Sequence, residues 1–269
     1  MVSQALEQSF ADGPKRRVVL LGASNLTRGI STAVETAQGI FGQPLEVLTA
    51  LGHGRSYGID SRMLGRRLPG IIECGLWEAL AGAPRTATTA LLTDIGNDIL
   101  YDVGVQQIVA WVDSAIDRLQ SAEARISMTL LPVAAIERLG AKRFALFRQL
   151  FFPKCRLSLA EVSRRALKLH DELRGLGQSR GVRLVGHDET WYGFDPIHIR
   201  HRHWQAAWPQ ILSAWHDGQC AERPLPRGSI ARWMYLRTRC PHQRCLFGID
   251  QRRAQPSARL RDGTTIAFY

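Results

Sequence analysis

The stretch VVLLGASN, residues 18–25, decides the fold. Four branched apolar residues run without interruption, and the chain then turns into Gly22-Ala23-Ser24-Asn25. A strand covered on both faces reads as such a continuous run, whereas a strand with one wet face alternates. Leu26, Ile30, Val34 and Ala37 follow at helical spacing, with Gly39 and Gly42 near the end of that pattern. The passage is therefore a buried strand, a tight polar turn and a helix, which is half of a βαβ unit.

The same grammar repeats outward. Leu45 to Leu51 reads as a second strand ending in GHGRSYG, and Thr88 to Ile95 as a third, closed by Gly96-Asn97-Asp98. Ile126 to Val133 and Val182 to Val185 supply a fourth and a fifth. Val105 to Gln120 carries Ile108, Trp111, Val112, Ala115, Ile116 and Leu119 on one helical face. Ile136 to Phe152 is an Arg-rich helical stretch placed where a lid would be. Ser158 to Glu161 spells a capping box before a helix reaching about Leu176, and a last helix is predicted from about Pro196 to Trp215. Ser61 to Ala81 reads as a helix interrupted at Pro69-Gly70. Strands alternating with helices require parallel pairing and right-handed crossovers. The expected fold class is α/β: a three-layer α/β/α sandwich on a parallel, flavodoxin-like five-stranded sheet, plus a basic C-terminal extension. Residues 1–15 form an N-terminal arm, 16–216 the catalytic-type domain and 217–269 the extension, expected to pack on the core.

Composition narrows the classes. The 269 residues, 45% hydrophobic, suffice for one large core. No run reaches the ~18 apolar residues of a membrane span. The N-terminal segment lacks the continuous apolar centre of a secretion signal, so a cytoplasmic protein is expected. The five cysteines are scattered, as in free thiols. The formal charge of +11 allows an anionic substrate or a polyanion. Ten arginines against four acids lie beyond residue 216, leaving +6 there. Trp233, Tyr235, Leu236, Leu246 and Phe247 in that tail look like packing residues, which disfavours a nucleic-acid arm. Its last residues read as a hairpin turning at Asp262-Gly263.

In open α/β sheets ligands bind beyond the carboxyl ends of the strands. Three such ends carry small polar loops, and Asp195-Pro196-Ile197-His198 follows the last strand. Those groups can run acyl transfer. A serine hydroxyl becomes nucleophilic when a base accepts its proton, and histidine held by a carboxylate is that base. Backbone N–H groups and an Asn amide can hold the developing oxyanion. Ser24 stands at a helix N-terminus, where negative charge is favoured.

GASN, the GHG loop, GND and DPIH resemble, in order and spacing, the four blocks of the SGNH (GDSL-like) hydrolase superfamily over about residues 16 to 216. The resemblance implies a serine esterase or related acyl hydrolase, working without metal or other cofactor on a small-molecule or acylated substrate. It makes Ser24 the nucleophile and first oxyanion donor, Gly54 the second donor with Gly52 as rival, and Asn97 the third. Asp195 and His198 become the acid and the base. One departure stands out: Ala23 replaces the usual acid before the serine, so the hydrogen bonding there must differ.

Each residue also has an ordinary role. Ser24 can cap the helix that follows, and Asp195 can cap a helix opened by Pro196. Gly52, Gly54 and Gly58 can serve a tight loop, Asn97 and Asp98 a turn, and His198 a wet surface shared with His201 and His203. Arg28, Arg55 and Arg200 are either solvated charges or a fork for an anionic part of the substrate, and Tyr57 and Trp191 either wall a pocket or pack. Cys240 and Cys245, with His242 and either His216 or Cys220, suggest zinc, but a single Cys pair without a second is a weak signature; no metal is expected. The alternative function is a catalytically silent fold of this type that binds an anionic polymer or partner through the basic tail.

Overall fold

The structure is a computed structural model that describes residues 16–63, 65–195, 197–215, 226 and 228–269. In chain order its elements begin with β1 (Arg17–Leu21), α1 (Ser24–Phe41), β2 (Glu46–Ala50), β3 (Ser61–Met63), β4 (Arg66–Leu68), α2 (Leu76–Ala81) and β5 (Thr88–Leu92). There follow α3 (Asn97–Leu100), α4 (Val105–Ser121), β6 (Arg125–Thr129), α5 (Val133–Glu137), α6 (Ala141–Phe151), α7 (Leu159–Ser179) and β7 (Arg183–Val185). The chain continues through α8 (Trp204–Ile211), α9 (Ile230–Arg237), β8 (Gln243–Leu246), β9 (Ile249–Arg252), β10 (Ala258–Arg259) and β11 (Thr265–Phe268).

β1 is the centre of the main sheet, with all five residues buried. It pairs in parallel with β2 on one side and β5 on the other, Val18 opposite Val47 and Thr89. Its side chains alternate between two cores. Val18 and Leu20 join α1 and α8 on one face, while Val19 and Leu21 join α2, α4 and α7 on the other. The unbroken apolar run follows from that double cover. On the first face α1 and α8 approach closely: a Cβ on Gly29 would sit 2.1 Å from the indole nitrogen of Trp208.

The five predicted strands form the order β2-β1-β5-β6-β7, the flavodoxin-like winding, but the sheet has seven strands and not five. The additional two come from the extension. β11 pairs in parallel with β2, and β10 pairs antiparallel with β11, through a hairpin that turns at Asp262-Gly263, Gly263 having φ 86°. The short last strands carry too few residues to announce a sheet partner that lies more than 200 residues earlier. Gln38 on α1 fastens the turn, its amide donating to Asp262 and to the Thr264 hydroxyl.

Two further readings change. Residues 61–81 are not one interrupted helix: β3 and β4 form a hairpin, and only Leu76–Ala81 is α-helical. β4 pairs with β8, so a second sheet of order β3-β4-β8-β9 joins this insertion to the extension. The predicted helix from Pro196 to Trp215 is α-helical only over Trp204–Ile211, with single 3-10 turns on each side. The N-terminal arm, His216 and Cys220 lie outside the described residues. Among those described, no three His, Cys, Asp or Glu side chains converge as a metal site, and no helix is long and apolar enough to cross a membrane.

Arg55 joins the parts. Its guanidinium is fully buried and donates to the main-chain oxygens of Leu51, Pro69 and Tyr269. Burial lowers its pKa below the usual arginine value, yet the carbonyls give the cation partners inside the protein. Replacing Arg55 with Ala should leave those acceptors unpaired and lower stability by on the order of 3 kcal/mol, measurable as a fall in Tm, with the loss spread over β11 in hydrogen exchange.

Candidate active site

Four loops meet at the carboxyl rim of the sheet. Ser24 opens α1 directly after β1 and is 7% exposed. Its Oγ lies 2.9 Å from His198 Nε2, 174 residues away in sequence. His198 Nδ1 lies 2.5 Å from Asp195 Oδ2. A carboxylate can only accept, so the Nδ1 proton points to Asp195 and Nε2 presents its lone pair to the serine hydroxyl. The other carboxylate oxygen, Oδ1, accepts the backbone N–H groups of Ile197 and His198 at 3.2 Å each. Asp195 thus caps no helix, since residues 197–200 are not helical; one carboxylate closes the turn and contacts the imidazole. Burial alone would raise the Asp195 pKa, but the His198 hydrogen bond and charge and the Ile197 N–H hold it below the usual carboxylate range. The Phe151 ring meets the His198 ring edge-on with centroids 6.2 Å apart.

Gly54 and Asn97 come from the second and third loops. Gly54 has φ 64°, a left-handed conformation that favours glycine. The Tyr101 hydroxyl donates to the Gly54 carbonyl at 2.6 Å. Asn97 Nδ2 reaches the carbonyl of Arg55, the next residue in that loop, at 3.4 Å. Asp98 ties the two loops together. It is fully buried, takes the Ser56 hydroxyl on one oxygen and the Tyr57 N–H on the other, and burial raises its pKa to about 6 against those bonds.

Asp94 does what the sequence did not disclose. It stands just beyond β5 in the left-handed region at φ 57°, a conformation Asp tolerates better than most residues. Its carboxylate accepts from the backbone N–H groups of Ala23 and Asn25 at 2.9 Å, and of Leu26 at 3.2 Å. That caps the start of α1, satisfies donors that helical bonding leaves orphaned, and complements the dipole. The acid missing at position 23 is supplied across the turn from position 94. Asn25 extends the clamp to the histidine loop. Its Nδ2 donates to Asp94 Oδ1 at 2.8 Å and to the Ile197 carbonyl at 2.9 Å, and its Oδ1 accepts the Ile199 N–H at 2.8 Å. The signal available beforehand was the pairing of an absent acid at 23 with an acid at a neighbouring strand end.

Of the four substrate-contact candidates, Arg28 is the one that stands within electrostatic range of Asp195 and Asp94. Arg28 lies one turn after Ser24 on α1; burial lowers its pKa, while Asp195 and Asp94 raise it. Arg55 is the buried strut already described and cannot reach a ligand. Tyr57 is also fully buried, its hydroxyl donating to the Thr93 carbonyl at 3.0 Å, so it packs beneath the loops and lines no cleft. Arg200 turns away to the Thr190 carbonyl and covers Gly193. A cleft opens beside Ser24, Asn97 and Ile197, walled by residues of α3, α5, α6 and α7.

No protein-family model matches the sequence, and no curated protein is similar to it. Solved structures do align. One has a TM-score of 0.50 at 12% identity, covering 74% of this chain and 94% of its own. An inhibitor-bound aryl esterase of M. smegmatis aligns at 0.49 with 13% identity over 74% of this chain and 96% of its own. The esterase EstA of Pseudoalteromonas sp., inhibited by monoethylphosphonate, aligns at 0.45 with 12% identity over 81% and 98%. The likeness is one of fold: a three-layer α/β/α sandwich. At such identities it says nothing of substrate.

Asp94→Ala should cost on the order of 3 kcal/mol, because three N–H groups lose a charged acceptor; chemical denaturation measures it. The site also fixes a pH dependence. Burial lowers His187, at the cleft wall, to about 4. The unfolded chain therefore takes a proton below about pH 6.5 that the folded chain refuses. Stability contributed by neutral His187 is full above that value and is lost as pH falls towards 4. Asp98 acts in the opposite sense between about 4 and 6, since its raised pKa favours the folded state at the acid end. Denaturation curves of His187→Gln between pH 4 and 7 should be flatter than wild type, and those of Asp98→Asn steeper.

Proposed function

We propose that the chain is a serine hydrolase of the SGNH type that cleaves ester bonds. The observation that carries this reading is the 2.9 Å contact of Ser24 Oγ with His198 Nε2, with Asp195 behind the ring at 2.5 Å. Ser24 Oγ attacks the carbonyl carbon while its proton passes to Nε2. The carbonyl π pair moves onto oxygen, and the N–H groups of Ser24 and Gly54 and the Asn97 amide receive that charge. Gly54 is favoured over Gly52 because Asn97 reaches the carbonyl of its immediate neighbour. When the tetrahedral species collapses, the C–O bond to the alcohol breaks and imidazolium returns the proton to the departing oxygen. Water, deprotonated by the same Nε2, then attacks the acyl-enzyme, releases a carboxylic acid and restores the Ser24 hydroxyl. Asp195 orients the ring and stabilises its cationic form.

The leaving group is anionic in this reading. Trp233 Nε1 donates to the Arg28 carbonyl at 2.9 Å, and the Arg237 guanidinium stacks over the Trp233 ring at 4.5 Å. The extension thereby brings a second cation beside the first. Among the described residues neither has a carboxylate partner in an ion pair. Burial, with Arg66, Arg237 and Arg28 nearby, lowers neighbouring His53 to about 4, so it stays neutral and leaves the positive field to the arginines.

A fluorophosphonate probe should label the protein stoichiometrically, and Ser24→Ala should abolish labelling. Ester turnover should fall at least about 10⁴-fold in Ser24→Ala or Asp195→Asn and about 10²–10³-fold in Asn97→Ala. Absence of labelling, with salt-sensitive binding of an anionic polymer instead, would overturn the enzyme reading. Arg28→Ala should raise KM for a substrate with an anionic leaving group about tenfold and leave KM for a neutral one within about twofold.

A further inference from the structure

The cleft beside Ser24 has a chemically distinct inner part. The cavity runs inward beside α5 and α6, with a wall of hydrocarbon: Leu100, Leu131, Ile136, Phe144, Val162 and Ala166. Phe144 and Ala166 are buried from water, 7% and 2% exposed. Charge is nearly absent along it. The Arg148 guanidinium is held by the Leu157 carbonyl at 3.0 Å. His187 shares a hydrogen bond with the Tyr192 hydroxyl at 2.8 Å, and its low pKa leaves it neutral. The Asp94 carboxylate already accepts three N–H groups at the start of α1 and the Asn25 amide. A charged or polyhydroxylated group buried against the hydrocarbon wall would lack partners there, which costs free energy.

We infer that this cavity holds the hydrocarbon chain of the acyl group, so that the substrate is an ester of a medium- or long-chain carboxylic acid and not an acetyl ester. The inference rests on the serine-hydrolase reading and assigns the two ends of its substrate. The leaving alcohol must meet the His198 proton and depart to solvent, so it occupies the open side. The chain, which gains free energy only by leaving water, occupies the apolar side. Phe147 and Phe151 stack with centroids 6.1 Å apart on the inner side of α6, and Phe151 also meets His198. Phe151 thus contacts both the cavity and the His198 ring.

The test uses the full chain and p-nitrophenyl esters from acetate to decanoate, each below its aggregation limit. Burying one methylene is worth up to about fourfold in kcat/KM. kcat/KM should climb with each added carbon as far as octanoate, and Ser24→Ala should abolish turnover at every length. Leu139→Trp, at the bend between α5 and α6, and Ala166→Phe, on the cavity floor, should each lower the octanoate-to-acetate ratio of kcat/KM at least about tenfold. Because the readout is a ratio within one preparation, partial loss of folded protein does not change it. A profile that is flat or falls from acetate, with turnover still dependent on Ser24, overturns the acyl-chain assignment and leaves the serine reading intact. A rising profile that neither substitution alters also overturns it, since the chain then binds elsewhere. No Ser24-dependent turnover of any ester overturns the reading beneath it.

Discussion

The site depends on one carboxylate. Asp94 reaches from the end of β5 to the start of α1 and accepts three backbone N–H groups there. Neighbouring parallel strands bring their carboxyl ends to one rim, but they do not fix the orientation of the turns that leave it. The Asp94 clamp does so for the turn bearing Ser24. Through Asn25 it also grips the backbone on either side of His198. A hydroxyl and an imidazole 174 residues apart are held to hydrogen-bonding distance by a polar network none of whose members is Ser24 or His198. Such positioning matters because proton transfer is acutely sensitive to distance.

A second network, Asp98 with Ser56 and Tyr57, performs the corresponding task for the Gly54 and Asn97 loops. The two differ in electrostatic character. Asp94 sits against a helix N-terminus that welcomes negative charge. Asp98 is fully buried, and two donors do not fully offset its desolvation, so its pKa rises to about 6. A buried carboxylate such as Asp98 is costly; it and the half-buried Asp94 orient backbone in loops that no sheet ladder restrains.

The extension is part of the sandwich as well as a basic tail. It adds β10 and β11 to the main sheet, covers the edge that β2 would otherwise expose, and builds half of the small sheet against β3 and β4. Covering an edge removes a template for unwanted strand pairing. Arg55 locks the arrangement by donating to carbonyls from three separate segments. The same extension carries Trp233 to the backbone of α1 at Arg28 and Arg237 over the Trp233 ring.

The sequence by itself determined the βαβ rhythm, the five parallel strands from β1 to β7 and the four polar loops near their ends, because each depends on local periodicity or on a short run of residues. It also contained Ser24, His198 and Asp195 as residue types able to act together. What only the tertiary structure decided is long-range. The partner of β11, the hairpin at residues 61–68 and the short span of α8 depend on contacts formed with distant chain. Arg55 and Tyr57 stood beside a motif and looked like ligand contacts; their burial comes from carbonyls contributed by residues up to 214 positions away. Asp94 was visible as an acid at a strand end, but its task follows from a left-handed backbone and from Ala23 opposite it. Periodicity records which face of an element is dry. It does not record which distant polar group will meet which donor, and that pairing is what assembles the site.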